Sequence, residues 1–369
     1  MKFTCSQQLL SKALNTVSKA VTSRSTLPIL KGILLKATNE GSLILSASDL
    51  DISIEKTITD VSVEEEGSIV VSAKLFTDII RKLPYEDVLI EQAADGGIII
   101  KTSMSEFVIV GLSAEEFPEI GDIEEEEKIS LNKELFKEMI RKTSFSASID
   151  DAKGIIVGVL IEFEEDHTNM VGIDGFRMAV VREEIKIANK NKIIINAKIL
   201  TEISKILSDI EDDEELTIIL SKKKAFLICE KIKIVIRLLD GEFIKYRDIL
   251  PKEKKCSVKI KKSLFHEGME RASILSKEGK NNLIKFAFTD ELLTITSRSE
   301  EGNVREEILV EKTGNDIEIG FNSKYILDVL KAVDDEEVVI ELVSGVKPCV
   351  IKPVSGNKFE YLVLPVRIA

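Results

Sequence analysis

Asp49 and Asp51 are the first pair in this 369-residue chain whose spacing suggests chemistry. On one alternating strand, side chains at i and i+2 share a face. Two carboxylates placed so could bind Mg²⁺ or divide the roles of acid and base. A solvated strand edge explains the same pair without chemistry. Gly172-Ile173-Asp174-Gly175 lacks the spacing of a phosphate-binding loop. Two histidines, His167 and His266, offer little material for imidazole catalysis or metal ligation. The four cysteines (Cys5, Cys229, Cys256 and Cys349) lie far apart with no C-x-x-C spacing. Neither a disulfide framework nor a zinc site is expected, and a reducing cytoplasm is. No nucleophile–base constellation emerges, so no catalytic residue, metal or cofactor is expected.

The formal net charge of -13 argues against nucleic acid as a partner. Where the charge sits decides more than its sum. Helical periodicity marks six stretches, 6–20, 73–83, 131–144, 197–207, 261–277 and 322–332, and all six are net basic. Together they carry about +10, which leaves about -23 for the rest of the chain. Lys and Arg are good helix formers and sit on any solvated helix face, which would explain one such helix. Six of six in an acidic protein suggests a basic track on an acidic body. Such a track would hold a polyanion by phosphate contacts and counterion release, without reading sequence.

The elements that would carry this track recur. Strand-then-helix segments open near Met1, Lys128 and Cys256, and a second series opens near Ile69, Ile193 and Ile317. Both series repeat at about 124 to 129 residues, the size of a domain. Alternating Ile, Val and Leu after each helix predict sheets packed on one face. The reading is α+β, with three similar domains at 1–120, 128–250 and 256–369, each of two β-α-β-β-β units. In the first helix Leu9, Leu10, Ala13, Leu14 and Val17 form the apolar stripe, with Lys12, Asn15, Thr16 and Lys19 opposite. In the third, Leu135, Phe136, Met139 and Ile140 form it, and Lys133, Lys137 and Arg141 face away. There is no run of 18 apolar residues to span a membrane, and the first residues alternate without the apolar core of a secretory signal.

Several short motifs now align with one family: MKFT at the start, Arg24 with Thr26-Leu27-Pro28-Ile29-Leu30, and Ile173-Asp174-Gly175-Phe176-Arg177-Met178-Ala179. To these add Asp240-Gly241-Glu242-Phe243 with Tyr246-Arg247 and Leu250-Pro251, Gly320-Phe321-Asn322 with Tyr325, and Tyr361-Leu362-Val363-Leu364-Pro365-Val366-Arg367. In order and spacing the whole chain resembles the bacterial sliding clamps, the beta subunits of DNA polymerase III. The resemblance implies three clamp domains with helices inside and sheets outside, closing as a head-to-tail dimeric ring. It implies a processivity factor that encircles double-stranded DNA and tethers the polymerase, with no catalysis of its own.

The resemblance also implies sites. For DNA it points to Arg24, Lys74, Lys153 and Lys198, although Asp150 and Asp151 beside Lys153 oppose a phosphate. A hydrophobic peptide slot would receive motifs of the polymerase III alpha subunit, the clamp loader, other polymerases and repair proteins. Its residues would be Ile156, Ile173, Gly175, Phe176, Arg177, Met178, Ile244, Ile249, Asn322, Tyr325, Val346, Leu362, Leu364, Pro365, Val366 and Arg367. An apolar slot with a few polar anchors suits that task. The family often has His at the Phe176 position, Pro at Ile244 and Met at Leu364 and Val366, so stiffer side chains replace an adaptable surface here. For homodimer closure it points to Phe107, Ile274 and Leu275, with Glu300 and Glu301 meeting bases on the partner. Two other classes compete: an enzyme built on Asp49 and Asp51, and a protein hub that ignores DNA and leaves the basic helices unexplained.

Overall fold

Strand and helix alternate along the chain in a pattern repeated six times. The computed structural model describes residues 1–22, 25–94, 96–121, 128–185, 187, 189–210, 214–279 and 282–368. The first repeat runs β1 (Lys2–Ser6), α1 (Gln7–Val17), β2 (Gly32–Ala37), β3 (Leu43–Ser48), β4 (Ile52–Ile58) and a short β5 (Val61–Glu65). Its second half is β6 (Gly67–Ser72), α2 (Ala73–Lys82), β7 (Asp87–Gln92), β8 (Gly97–Lys101) and β9 (Glu106–Leu112). The second repeat is β10 (Lys128–Asn132), α3 (Lys133–Thr143), β11 (Gly158–Phe163), β12 (Thr168–Ile173) and β13 (Arg177–Glu183). It continues with β14 (Asn191–Asn196), α4 (Ala197–Ser208), β15 (Glu215–Leu220), β16 (Lys224–Cys229) and β17 (Ile232–Arg237). The third begins β18 (Cys256–Lys261), α5 (Lys262–Glu278), β19 (Leu283–Thr289), β20 (Leu292–Ser299), β21 (Gly302–Leu309) and a short β22 (Glu311–Gly314). It ends β23 (Ile317–Asn322), α6 (Ser323–Ala332), β24 (Glu337–Leu342), β25 (Cys349–Pro353) and β26 (Phe359–Val363). The expected β-α-β-β-β units are all present, and β5 and β22 are additions that the alternation alone did not separate.

The sheets do not respect the repeats. One sheet of 13 strands runs β10-β15-β16-β17-β4-β3-β2-β6-β9-β8-β7-β1-β5, a second of nine runs β14-β11-β12-β13-β26-β25-β24-β18-β22, and a third of four runs β21-β20-β19-β23. The central repeat therefore gives half its strands to each of two compact units, Met1–Glu134 with Lys205–Leu238, and Leu135–Ser204 with Leu239–Ala369. The junctions are ordinary antiparallel ladders: Ile234 faces Ile54 across β17 and β4, and Val181 faces Phe359 across β13 and β26.

In the first unit α1 lays Leu10, Ala13, Leu14 and Val17 on the sheet, and α2 lays Ala73, Phe76 and Ile80. Buried Gln7 joins the two helices by donating from Nε2 to the Ile80 carbonyl at 2.7 Å. In the second unit α5 buries Phe265, Met269 and Ala272 and meets α6 through the Ser276 and Ser323 hydroxyls, 2.7 Å apart. Gly268 permits that helix to approach β21, since a Cβ there would meet Ile308 Cδ1 at 2.9 Å. Each fully buried Leu, Ile or Phe contributes about 1.5–3 kcal/mol.

Three expectations require correction. Asp49 and Asp51 do not share a strand: they flank Leu50 in the turn between β3 and β4, where Leu50 has φ 77°. The Asp49 carboxylate accepts the backbone N–H groups of Asp51 (3.0 Å) and Ile52 (2.8 Å), so it shapes a turn. Thr16, placed opposite the apolar stripe, is buried and donates to the Lys12 carbonyl. Lys133, placed on the solvated face, is fully buried and donates to the Ile210 carbonyl at 2.7 Å. The four cysteines are buried free thiols. Among the described residues no helix is long and apolar enough to cross a membrane.

Candidate functional site

The second unit holds an apolar floor beneath a polar-anchored rim. Leu160, Val171, Ile173, Met178, Val180, Ile194, Tyr246, Val350 and Leu362 form one buried cluster, with Ile155, Leu239, Phe243, Leu250 and Leu364 packed on it and only partly covered. Expected slot residues Ile173, Met178 and Leu362 are thus floor, each under 5% exposed, and Leu364 is a wall.

At the rim the turn Asp174-Gly175-Phe176 joins β12 to β13. Gly175 sits at φ 93°, a left-handed conformation that a side chain would strain. The Asp174 carboxylate accepts the N–H groups of Phe176 (2.8 Å) and Arg177 (3.0 Å) and fixes the turn. Phe176 is consequently half exposed and stacks on Tyr325 of α6 at 6.2 Å between centroids. Arg177 lies over the same Tyr325 ring at 4.6 Å. Its guanidinium donates to Asp174 (3.0 Å), Asp328 (2.6 Å) and the Phe145 carbonyl (2.7 Å). Burial pushes the Asp328 carboxyl up, and Lys324 and Arg177 more than offset it, so the carboxyl lies below the usual range. Arg177 is therefore a fixed post rather than a free arm.

The terminal residues are stitched to this rim. Leu364 N–H donates to the Phe176 carbonyl (2.9 Å) and Val366 N–H to Gly320 (2.8 Å). A Cβ on Gly320 would stand 2.6 Å from the Val366 carbonyl, so only glycine admits the tail there. Pro365 and Val366 are half-buried and Arg367 is exposed. Asn322 caps α6 by accepting the Lys324 N–H at 3.0 Å. Ile244 and Ile249 are each 39% exposed on the segment that also supplies Tyr246. Ile156 is half-buried just ahead of β11, and Val346 protrudes from the β24–β25 turn.

Sequence reasoning quoted Asp174 and Tyr246 within motifs without giving them a role in the site, and it missed Asp328 and Glu162. Glu162 on β11 is 1% exposed. Its carboxylate accepts Tyr246 Oη (2.6 Å), Arg247 Nη2 (2.7 Å) and Nη1 (3.2 Å), and pairs with Lys192 (2.8 Å). Burial raises its pKa, and the hydrogen bonds from Lys192, Tyr246 and Arg247 overcome that effect and bring it to about 2. Burial and this carboxylate push the Tyr246 hydroxyl up, so it remains a donor. The chain carries Tyr246-Arg247 in plain view, yet nothing local marks Glu162 as their partner.

The expected DNA-facing residues divide. Lys74 at the start of α2 is exposed and makes no ion pair among the described residues, as do Lys12 and Lys82. Lys198 pairs with Asp151 at 2.8 Å. Lys153 turns toward the rim, 5.4 Å over the Phe176 ring and 3.5 Å from the Asp174 carbonyl. Arg24 lies outside the described residues. Of the residues expected at a dimer contact, Phe107 on β9 and Ile274 on α5 are exposed, Leu275 is half-buried, and Glu300 and Glu301 are exposed in the β20–β21 turn.

Fold and surface together describe a repeat-built α+β chain with a partly covered apolar cluster beside a polar-anchored rim. Three family models cover the chain in order: the N-terminal domain of the DNA polymerase III beta subunit over residues 1–121, the central domain over 130–245 and the C-terminal domain over 247–367. A beta sliding clamp of Staphylococcus epidermidis is 33% identical over 377 residues, spanning 100% of this chain and 99% of that one. A putative DNA polymerase III beta subunit from Eubacterium rectale superposes with a TM-score of 0.95 at 37% identity, and the DNA polymerase sliding clamp of Bacillus subtilis with 0.96 at 32%. Each structure covers 100% of both chains. This chain belongs to the DNA polymerase III beta sliding clamp family, whose members are non-catalytic processivity factors.

Proposed function

We propose that two copies of this chain close head to tail into a ring that encircles double-stranded DNA, slides without reading sequence and tethers the replicative polymerase. Two unsatisfied strand edges carry this reading. Among the described residues β21 pairs only with β20, and β9, laddered to β8 on one side, meets β6 on the other only through Leu112 and Gly111. Both edges expose apolar residues, Val108 and Val110 on β9 and Leu309 on β21. Edges of this kind invite another chain. Pairing β9 of one copy with β21 of the other would cover Phe107, Ile274 and Leu275, with Glu300 and Glu301 at the margin. The three repeats, 1–120, 128–250 and 256–369, would then present six helices to the DNA.

Lys74, Lys153 and Lys198 would supply exchangeable phosphate contacts, and Arg24 joins them through the family resemblance. The slot around Phe176, Arg177, Tyr325 and Leu364 would receive short hydrophobic motifs of the polymerase III alpha subunit, the clamp loader and other polymerases and repair proteins. Ring tethering makes each rebinding intramolecular, at an effective concentration on the order of millimolar. The protein would work in the cytoplasm, without cofactor. The test is retention on DNA. Protein loaded on a nicked circle should survive high salt and be lost when the circle is linearised. Loss at high salt from the intact circle would contradict encirclement.

A further inference from the structure

Ile244 and Ile249, two expected slot residues, sit on a segment with little structure of its own. Between Leu239 and Lys254 it has no strand and one short 3-10 turn, Tyr246–Asp248. Its backbone bonds are local: Tyr246 N–H to Ile244, Asp248 N–H to Lys245 and Ile249 N–H to Tyr246. Among the described residues, every hydrogen bond that ties residues 240–253 to the rest of the unit ends on the Glu162 carboxylate. That carboxylate is also held by Lys192 of β14 and by Asn169 of β12 at 3.5 Å. Arg182 of β13 in turn donates to Asn169 Oδ1 at 3.0 Å. Three neighbouring strands thus brace one acid of β11, and that acid braces the segment. The Tyr246 ring fills the cluster that floors the slot, and Arg247 covers that ring at 4.6 Å.

We infer that Glu162 is a positioning residue for the peptide slot: through Tyr246 and Arg247 it pre-sets Ile244 and Ile249 at the rim. The inference rests on the slot reading above. Glu162 is too buried to meet a peptide itself. Without it the segment keeps only the apolar contacts of Phe243, Tyr246 and Leu250, and an arriving peptide must order the rim as it binds. That ordering cost weakens affinity without removing any contact to the peptide.

The experiment uses the full-length protein and a fluorescein-labelled short peptide bearing adjacent leucine and phenylalanine side chains, read by fluorescence polarisation. Glu162→Gln and Tyr246→Phe should each weaken binding about tenfold, the scale of one charge-assisted hydrogen bond. The double variant should be no weaker than the weaker single, because both changes cut the same link. Leu216→Ala, a buried truncation in the other unit, should lower the melting temperature and leave peptide affinity unchanged. Should Glu162→Gln not fold, Tyr246→Phe and Arg247→Lys carry the same reading. Folded variants that bind the peptide like the parent, or losses that simply add, would overturn the inference. A parent protein that ignores the peptide would remove the slot reading itself, and the inference with it.

Discussion

Single side chains set how this protein meets charge. Lys198 and Asp151 pair in the open, where such a pair contributes about 0–1 kcal/mol. A phosphate would have to displace Asp151 before Lys198 could be used. Asp151→Asn should therefore steepen the salt dependence of binding to short linear duplex, by a slope of about 0.9 for one added phosphate contact. An unchanged slope would show that Lys198 does not face DNA. Glu162 gives a second test. Its folded pKa of about 2 lies below the ordinary 4.5, so its stabilisation is present above pH 4.5 and lost as the pH falls toward 2. Denaturant melts of parent and Glu162→Gln should converge as the pH is lowered through this window, and a constant gap would contradict the assignment. None of this was legible locally. Glu162 lies in the run Ile161-Glu162-Phe163-Glu164-Glu165, which reads as a strand end with solvated acids, and its partners lie up to 85 residues away. Asp49 and Asp51 misled for a related reason: periodicity cannot announce that Leu50 turns left-handed between them.

Elements were far more readable than sites, because amphipathic period is a local property. Of the stripe expected on α1, Leu10, Ala13, Leu14 and Val17 are buried and Leu9 at its edge is exposed, and the alternation in β2 to β4 likewise declares most of the buried face. Partnership between elements is not local, and so the pairings β17–β4 and β13–β26 were invisible. The same holds for Lys133, whose helix position suggested water and whose amine instead meets a carbonyl 77 residues away. Edge strands offer the element-scale prediction. Phe107→Glu on β9 or Ile274→Glu on α5 should convert the proposed dimer to monomer in sedimentation at micromolar concentration. Both side chains are already exposed, so the melting temperature of the monomer should change little. A dimer that persists in both variants would place the contact elsewhere.

At the scale of the whole molecule, sequence repeat and sheet membership disagree. The family models follow the repeat, whereas the 13-stranded and nine-stranded sheets each draw on two repeats. Residues 128–250 expressed alone would bare β17 where β4 belongs and β13 where β26 belongs. Light scattering of that fragment should show self-association through these edges. A monodisperse monomer would mean that the repeat is self-sufficient after all.

The divided loyalty of the middle repeat also bears on how such a chain can change over generations. Duplication can lengthen a string of self-contained beads, and deletion can shorten it. Here the middle bead is interlaced with both neighbours, and its loss would leave two torn margins at one stroke. Removing that bead alone would therefore cost two ladders at once, β17 on β4 and β13 on β26.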